Sequence, residues 1–248
     1  MAEYSTDDVM IVNAARALGN ETVCFVGIGL PSTAANLARR LHAPDCVLIY
    51  ESGCIGSKPT RLPLSIGDGE LGETSDAVVS VPEIFTYWLQ AGRVNVGFLG
   101  GAQLDIYGNI NSTVIGPYDH PTTRLPGAGG APEIAASAGA VYVIMRQSRR
   151  AFVPTVDFRS SIGFGDGPGH RERLGLRGGG VQLVVTDLGV LRPDPITCEL
   201  IMTALHPGVT RQQAIDATGW PLQFSDDCDV TAEPTAHELA TLPALRDA

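Results

Sequence analysis

Glu51 closes the apolar run Cys46-Val47-Leu48-Ile49-Tyr50, and glycines follow it at 53 and 56 in "IYESGCIGSK". An ionisable residue at the end of a buried strand, with permissive residues next to it, reads as the rim of a pocket. The plainer alternative is that Glu51 merely leaves the sheet for water. A second pattern is "RLPGAGGAPEI", where Gly127, Gly129 and Gly130 precede a short helix-like stretch. Such glycines can turn backbone N–H groups into a concave nest that receives an oxyanion, and a ligand-free glycine turn has the same spelling. A third, Gly27-Ile28-Gly29, lies between a strand and a helix, as a phosphate cradle would. Ser32 stands where a dinucleotide fingerprint needs its third glycine, so a tight turn is the default reading.

Other chemistry finds less support. The five histidines are scattered, no G-x-S-x-G elbow is present, and no paired His, Asp or Glu spacing suggests a metal. Asp187, closing "VQLVVTD", is a further rim carboxylate or, more simply, a capping residue. The five cysteines lack a CxxC pair, which implies neither a disulfide framework nor zinc; Cys24, Cys46 and Cys198 read as core filler.

The elements that must position these residues alternate as in a βαβ protein. Thr6-Asp7-Asp8 is expected to cap a helix to about Leu18, Val23–Val26 to form a strand, and Pro31 to start a helix through Leu41. Asp45–Tyr50 and Val94–Leu99 are further strands, with the proline-started helix "PEIFTYWLQAG" between them, its apolar residues compatible with burial on two faces and nearly as well with an ordinary core helix. "AVYVIM", "VQLVVTD" and "ITCELIMT" add strands. Gly163–Gly180 holds eight glycines in 18 residues and reads as a surface loop, a flap or plain connector. From Ser225 onward six acidic residues face one arginine, so residues 225–248 are expected to be a solvated, partly disordered tail after one domain over 1–224.

A chain of 248 residues with 44% hydrophobic content can bury a full core. Its net charge of −10 and pI near 4.9 disfavour nucleic acid and anionic membrane surfaces as partners. Met1–Asn20 is acidic and helix-like, unlike a leader, and no apolar run approaches the roughly 20 residues that span a bilayer, so a cytoplasmic protein is expected.

At "YESGCIG", "VGFLGGAQLDIYGNIN", "RLPGAGGA" and "TDLGV", in that order, the sequence resembles the β subunit of class I coenzyme A transferases, of the glutaconate CoA-transferase type, over roughly residues 5–224. The resemblance implies an open three-layer α/β/α sandwich with a mainly parallel sheet. It also implies a partner α subunit carrying most of the coenzyme A pocket, hence a hetero-oligomer, with coenzyme A as substrate and no tightly bound cofactor or metal. The family's Ser-Glu-Asn-Gly pattern stands here as Tyr50-Glu51-Ser52-Gly53, which makes Glu51 the nucleophile and leaves the departures at 50 and 52 to bear on the acid substrate. The "GAGG" loop resembles the family's oxyanion loop, and Gly53, Gln103, Asn109 and Asn111 are substrate-pocket candidates. Related decarboxylases and ring-opening hydrolases of CoA thioesters replace the glutamate, whereas Glu51 is present. A silent nucleotide-binding subunit is the remaining alternative.

Overall fold

This computed structural model describes residues 4–246; residues 1–3 and 247–248, the outer ends of the expected domain and tail, lie outside it. The chain divides into two compact units, residues 1–98 with 233–248, and residues 99–232.

In the first unit α1 (Thr6–Arg16) is capped one residue earlier than expected. The Ser5 hydroxyl accepts from the Asp8 N–H, and the Asp8 carboxylate accepts from the Ser5 N–H at 2.8 Å, a reciprocal capping box. Then follow β1 (Val23–Phe25), α2 (Leu30–Leu41), β2 (Val47–Ile49), β3 (Cys54–Ile55), α3 (Gly69–Glu73), β4 (Ala77–Val78), α4 (Val81–Glu83) and β5 (Val96–Leu99). The strands order β5-β1-β2-β3-β4. β5, β1 and β2 are parallel, and β3 and β4 extend the sheet antiparallel. Cys24, Phe25, Leu48 and Ile49 are buried, as a sheet covered on both faces requires. The alanines 34, 35 and 38 of α2 are fully buried, and their small side chains let α2 lie close against its neighbour α1.

The stretch after α4 differs from the two-faced helix expected. Ile84–Leu89 is π-helical, Ile84 and Leu89 are buried, and Tyr87 is 60% exposed, so a single face is covered. The wider π turn changes the angular spacing of side chains, which the helical pattern at 3.6 residues per turn does not anticipate.

In the second unit, β6 (Gln103–Leu104) and β7 (Ile110–Asn111) form one hairpin, and β8 (Val114–Ile115) and β9 (Thr123–Arg124) another. After α5 (Ala131–Ser137) come β10 (Ala140–Ile144), α6 (His170–Arg173), β11 (Val181–Val185), β12 (Gly189–Pro193), β13 (Leu200–Leu205), α7 (Arg211–Asp216) and β14 (Phe224–Val230). Their sheet runs β10-β11-β12-β13-β14, parallel at both ends and antiparallel in the middle. Cys198 is not core filler: it lies half-exposed in a turn with φ +60°.

Residues 225–246 are not a disordered tail. They continue β14 and then form α8 (Ala236–Thr241) and α9 (Pro243–Arg246), which return to the first unit. Leu242 and Leu245 are each 1% exposed, and Glu238 pairs with Arg16 of α1 at 2.7 Å. A few leucines at helical spacing outweigh the acidic composition, because burial, rather than net charge, decides whether a short helix docks.

The long glycine segment is likewise anchored. Arg171, 5% exposed, donates to the carbonyls of Gly163 and Gly178 at 2.8 Å and of Ala135 at 3.1 Å. One buried guanidinium thus ties the segment to α5, so it is neither flap nor plain connector. Burial lowers the Arg171 pKa, and the carbonyl cradle offsets part of that cost.

Candidate active site

The chain reverses immediately after β2. The Tyr50 carbonyl accepts from the Gly53 N–H at 3.0 Å, and the Tyr50 N–H donates to the Cys54 carbonyl at 2.9 Å, while Ile49 pairs with Ile55. Glu51 and Ser52 are therefore the tip of a tight hairpin. Gly53, at φ +103°, supplies the left-handed residue that such three-residue loops need. Glu51 is half-buried, and its carboxylate has no hydrogen-bond partner among the described residues.

The glycines beside it do something other than clear an approach. A Cβ on Gly53 would lie 1.9 Å from the Val79 carbonyl oxygen, and one on Gly56 would lie 2.3 Å from the Asp76 carboxylate. Their missing side chains admit the β4 segment, so Gly53 shapes the turn and is not a pocket wall.

Because β1 and β2 are parallel, the turn at Gly27–Gly29 leaves the same carboxyl edge as Glu51, and the Val26 N–H donates to the Ile49 carbonyl at 2.8 Å. Ligands of open α/β sheets gather at this edge. The N–H groups of Gly27, Ile28 and Gly29 have no acceptor among the described residues. Nothing lies within 4 Å of a Cβ built on Gly27 or Gly29. By its spelling this turn is a plain connection; its position beside Glu51 follows only from the register of β1 on β2.

In the second unit the "GAGG" loop is tethered at one end, where the Gly127 N–H donates to the Ser112 carbonyl at 2.9 Å. Gly127 and Gly129 have φ +106° and +51°, conformations that disfavour any side chain. The N–H groups of Ala128, Gly129 and Gly130 have no acceptor among the described residues, and Gly129 is exposed with open space around it. The loop thus presents unused donors.

The amide candidates behave differently. Asn109 is fully buried: its Nδ2 donates to Asp105 at 2.9 Å and to the Gly165 carbonyl at 2.8 Å, and its Oδ1 accepts from the Gly163 and Gly165 N–H groups. Asn111, also fully buried, donates to Gln103 Oε1 at 2.7 Å and to the Val114 carbonyl at 2.6 Å, while its Oδ1 accepts from the N–H groups of Thr113 and Val114. With every amide position occupied, neither reaches a substrate, and both hold loops in place. Gln103, 5% exposed, accepts from the Asp157 N–H at 3.0 Å and donates to the Asp157 carboxylate at 3.1 Å. Structure therefore brings Gln103 and Asn111 together, as scaffolding.

Asp187 accepts from the Gln147 N–H at 2.7 Å, which makes it a cap on the chain leaving β10. Beside it, His206 is 3% exposed. Its Nε2 faces the Thr186 carbonyl and so carries the proton, and its Nδ1 accepts from Thr231, both at 2.8 Å. Burial lowers the His206 pKa. Among the described residues no cluster of His, Cys, Asp and Glu could hold a metal, and no helix is long and apolar enough to cross a membrane.

Comparison with known proteins places this geometry in context. The family profile described as coenzyme A transferase matches residues 8–217. The sequence is 59% identical to the B subunit of the 3-oxoadipate CoA-transferase of Pseudomonas knackmussii, over 99% of this chain and 94% of that one. It is 40% identical to the B subunit of the glutaconate CoA-transferase of Acidaminococcus fermentans, over 94% of this chain and 89% of the relative. The crystal structure of glutaconate coenzyme A-transferase from that organism superposes with a TM-score of 0.93 at 34% identity, covering 99% of this chain and 96% of the other. The α/β fold expected from the resemblance is the one found.

Proposed function

Because this chain belongs to the coenzyme A transferase family, we infer that it is the B subunit of a heteromeric enzyme that moves coenzyme A from an acyl-CoA to a carboxylic acid. We propose Glu51 as the nucleophile and 3-oxoadipate as the acid that accepts or donates CoA. The single observation that carries the reading is the placement of Glu51: a carboxylate with no partner among the described residues, on the tip of a tight turn, beside a second turn whose N–H groups are unused.

Glu51 attacks the thioester carbonyl and expels the CoA thiolate, giving a mixed acyl–glutamyl anhydride. The thiolate returns to the glutamyl carbonyl and expels the first acid as its carboxylate, leaving a glutamyl-CoA thioester. The second acid repeats the two steps in reverse. Every bond broken is matched by one formed, and no water, oxidant or net proton is consumed. Each tetrahedral intermediate carries an oxyanion, and a preorganised N–H donor is typically worth about 3 kcal/mol to it. The turn at Gly27–Gly29, in the same unit as Glu51, is the proposed donor; the loop at Ala128–Gly130 is proposed as an oxyanion loop from its resemblance to the family's loop and its unused N–H groups alone. The identity of 59% to a 3-oxoadipate enzyme against 40% to a glutaconate enzyme supports the choice of acid. The cytosol is the proposed compartment, in keeping with five unpaired cysteines.

The test is CoA transfer by the chain assembled with its A-type subunit, offered 3-oxoadipate or glutaconate with one acyl-CoA donor. Transfer with higher kcat/KM for 3-oxoadipate is expected, and none from the isolated chain. Thioester hydrolysis or decarboxylation without an acceptor acid would overturn the reading in favour of the repurposed relatives.

A further inference from the structure

Beneath the Glu51 turn lies a polar group that the mechanism does not use. Tyr50 is fully buried, the largest side chain among the described residues to be so. Its hydroxyl lies 3.2 Å from Ser32 Oγ and 3.4 Å from Asn36 Nδ2, both on α2 and both at 1% exposure or less. Asn36 also donates to the Ser32 carbonyl at 3.0 Å, and its Oδ1 has no partner among the described residues. Burial raises the Tyr50 pKa, while its contacts with Ser32 and Asn36 and the charge of Arg39 oppose the shift. Phenylalanine at 50 and alanine at 32 would avoid the desolvation of two buried hydroxyls, so stability alone does not explain them.

Their geometry does. Tyr50 closes the nucleophile turn with its own backbone, through its bonds to Gly53 and Cys54. Its side chain grips Ser32, in the first turn of the helix that Gly29 begins. We propose that Tyr50 is a positioning residue that locks the Glu51 turn in register with the Gly27–Gly29 turn, so that nucleophile and N–H donors keep a fixed separation. The inference rests on Glu51 as nucleophile and adds the device that aims it. A slip of about 1 Å between reacting groups costs up to 10²-fold in rate, which makes a rigid link beneath the turn worth its desolvation.

The experiment uses the assembled enzyme with Tyr50→Phe, which removes one oxygen and keeps the packing, and with Ser32→Ala and the double variant. Single-turnover acylation of Glu51 is followed after active sites are titrated, so that a loss of folded protein does not register as a loss of rate. Expected is a fall of about tenfold in the per-site rate and in kcat, a change of less than about twofold in KM, and a double variant no slower than Tyr50→Phe alone. A per-site rate within twofold of wild type for Tyr50→Phe would overturn the proposal, as would losses that multiply in the double variant. Should Tyr50→Phe fail to fold, Ser32→Ala alone decides by the same per-site criterion. Wild-type enzyme that transfers CoA without ever labelling Glu51 would instead remove the nucleophile reading, and this inference with it.

Discussion

Replacing Gly53 by alanine should displace Glu51, the proposed nucleophile, and the structure sets the size of the effect. The added Cβ would begin 1.9 Å from the Val79 oxygen, whereas real Cβ contacts essentially never fall under 3.0 Å, so the two must separate by more than 1 Å. Val79 O is backbone beside the paired residues Cys54 and Val78, and it cannot swing aside as a side-chain tip would. Alanine at φ +103° adds backbone strain of roughly 1–2 kcal/mol, and the overpacking adds about 1–3 kcal/mol. The folded state should therefore lose about 2–5 kcal/mol, and a 1 Å retreat of Glu51 should lower kcat by around 10²-fold. Urea unfolding gives the first figure and steady-state transfer by the assembled enzyme, under conditions where the variant is folded, gives the second. Gly69→Ala, with no positive φ and nothing near the new Cβ, serves as the control and should change neither. Turnover within twofold of wild type in Gly53→Ala would refute the claim that this turn holds the nucleophile in place.

Gly129→Val should leave the far-ultraviolet circular dichroism unchanged, since the site is open, yet lower kcat because φ +51° is denied to a β-branched residue; undiminished turnover would rule the loop out as an oxyanion donor. Asn109→Ala should cost about 2–4 kcal/mol in urea unfolding, because Asp105 and the Gly163 and Gly165 N–H groups lose buried partners. Burial holds the His206 pKa below its ordinary value near 6.5, so the unfolded chain binds that proton more readily. Its contribution to stability is complete above about pH 6.5 and is lost as pH falls through the folded pKa; His206→Gln should flatten this slope in unfolding midpoints measured from pH 5 to 8.

The strands with continuous apolar runs, β1, β2, β5, β10 and β11, were legible because burial on both faces leaves a one-letter signature. The place of Glu51 just past the end of β2 was legible as well, since a carboxylate ending such a run is conspicuous. The hairpin it sits on was not: Glu-Ser-Gly lacks the Asn-Gly spelling of common hairpin turns, and Gly53 and Gly56 read as openings until Val79 and Asp76 were seen filling them. Asn109 shows the same limit. Its amide looked free for a ligand because the groups that occupy it, Gly163 and Gly165, lie more than 50 residues further along the chain. Arg171 organises the glycine-rich segment through carbonyls 35 and 36 residues earlier, a relation without local pattern. Composition misled at the C-terminus, where acidic content obscured the two leucines that dock α8 and α9.

The central claim is that Glu51 carries first the acyl group and then coenzyme A. Assembled enzyme incubated with an acyl-CoA and no acceptor acid should accumulate the glutamyl-CoA thioester, which borohydride reduces to an alcohol that mass spectrometry can place within the peptide. The predicted result is a stoichiometric mass change at Glu51 and at no other residue, abolished together with transfer in Glu51→Ala. A label on a different side chain, or wild-type transfer by Glu51→Ala, would contradict it.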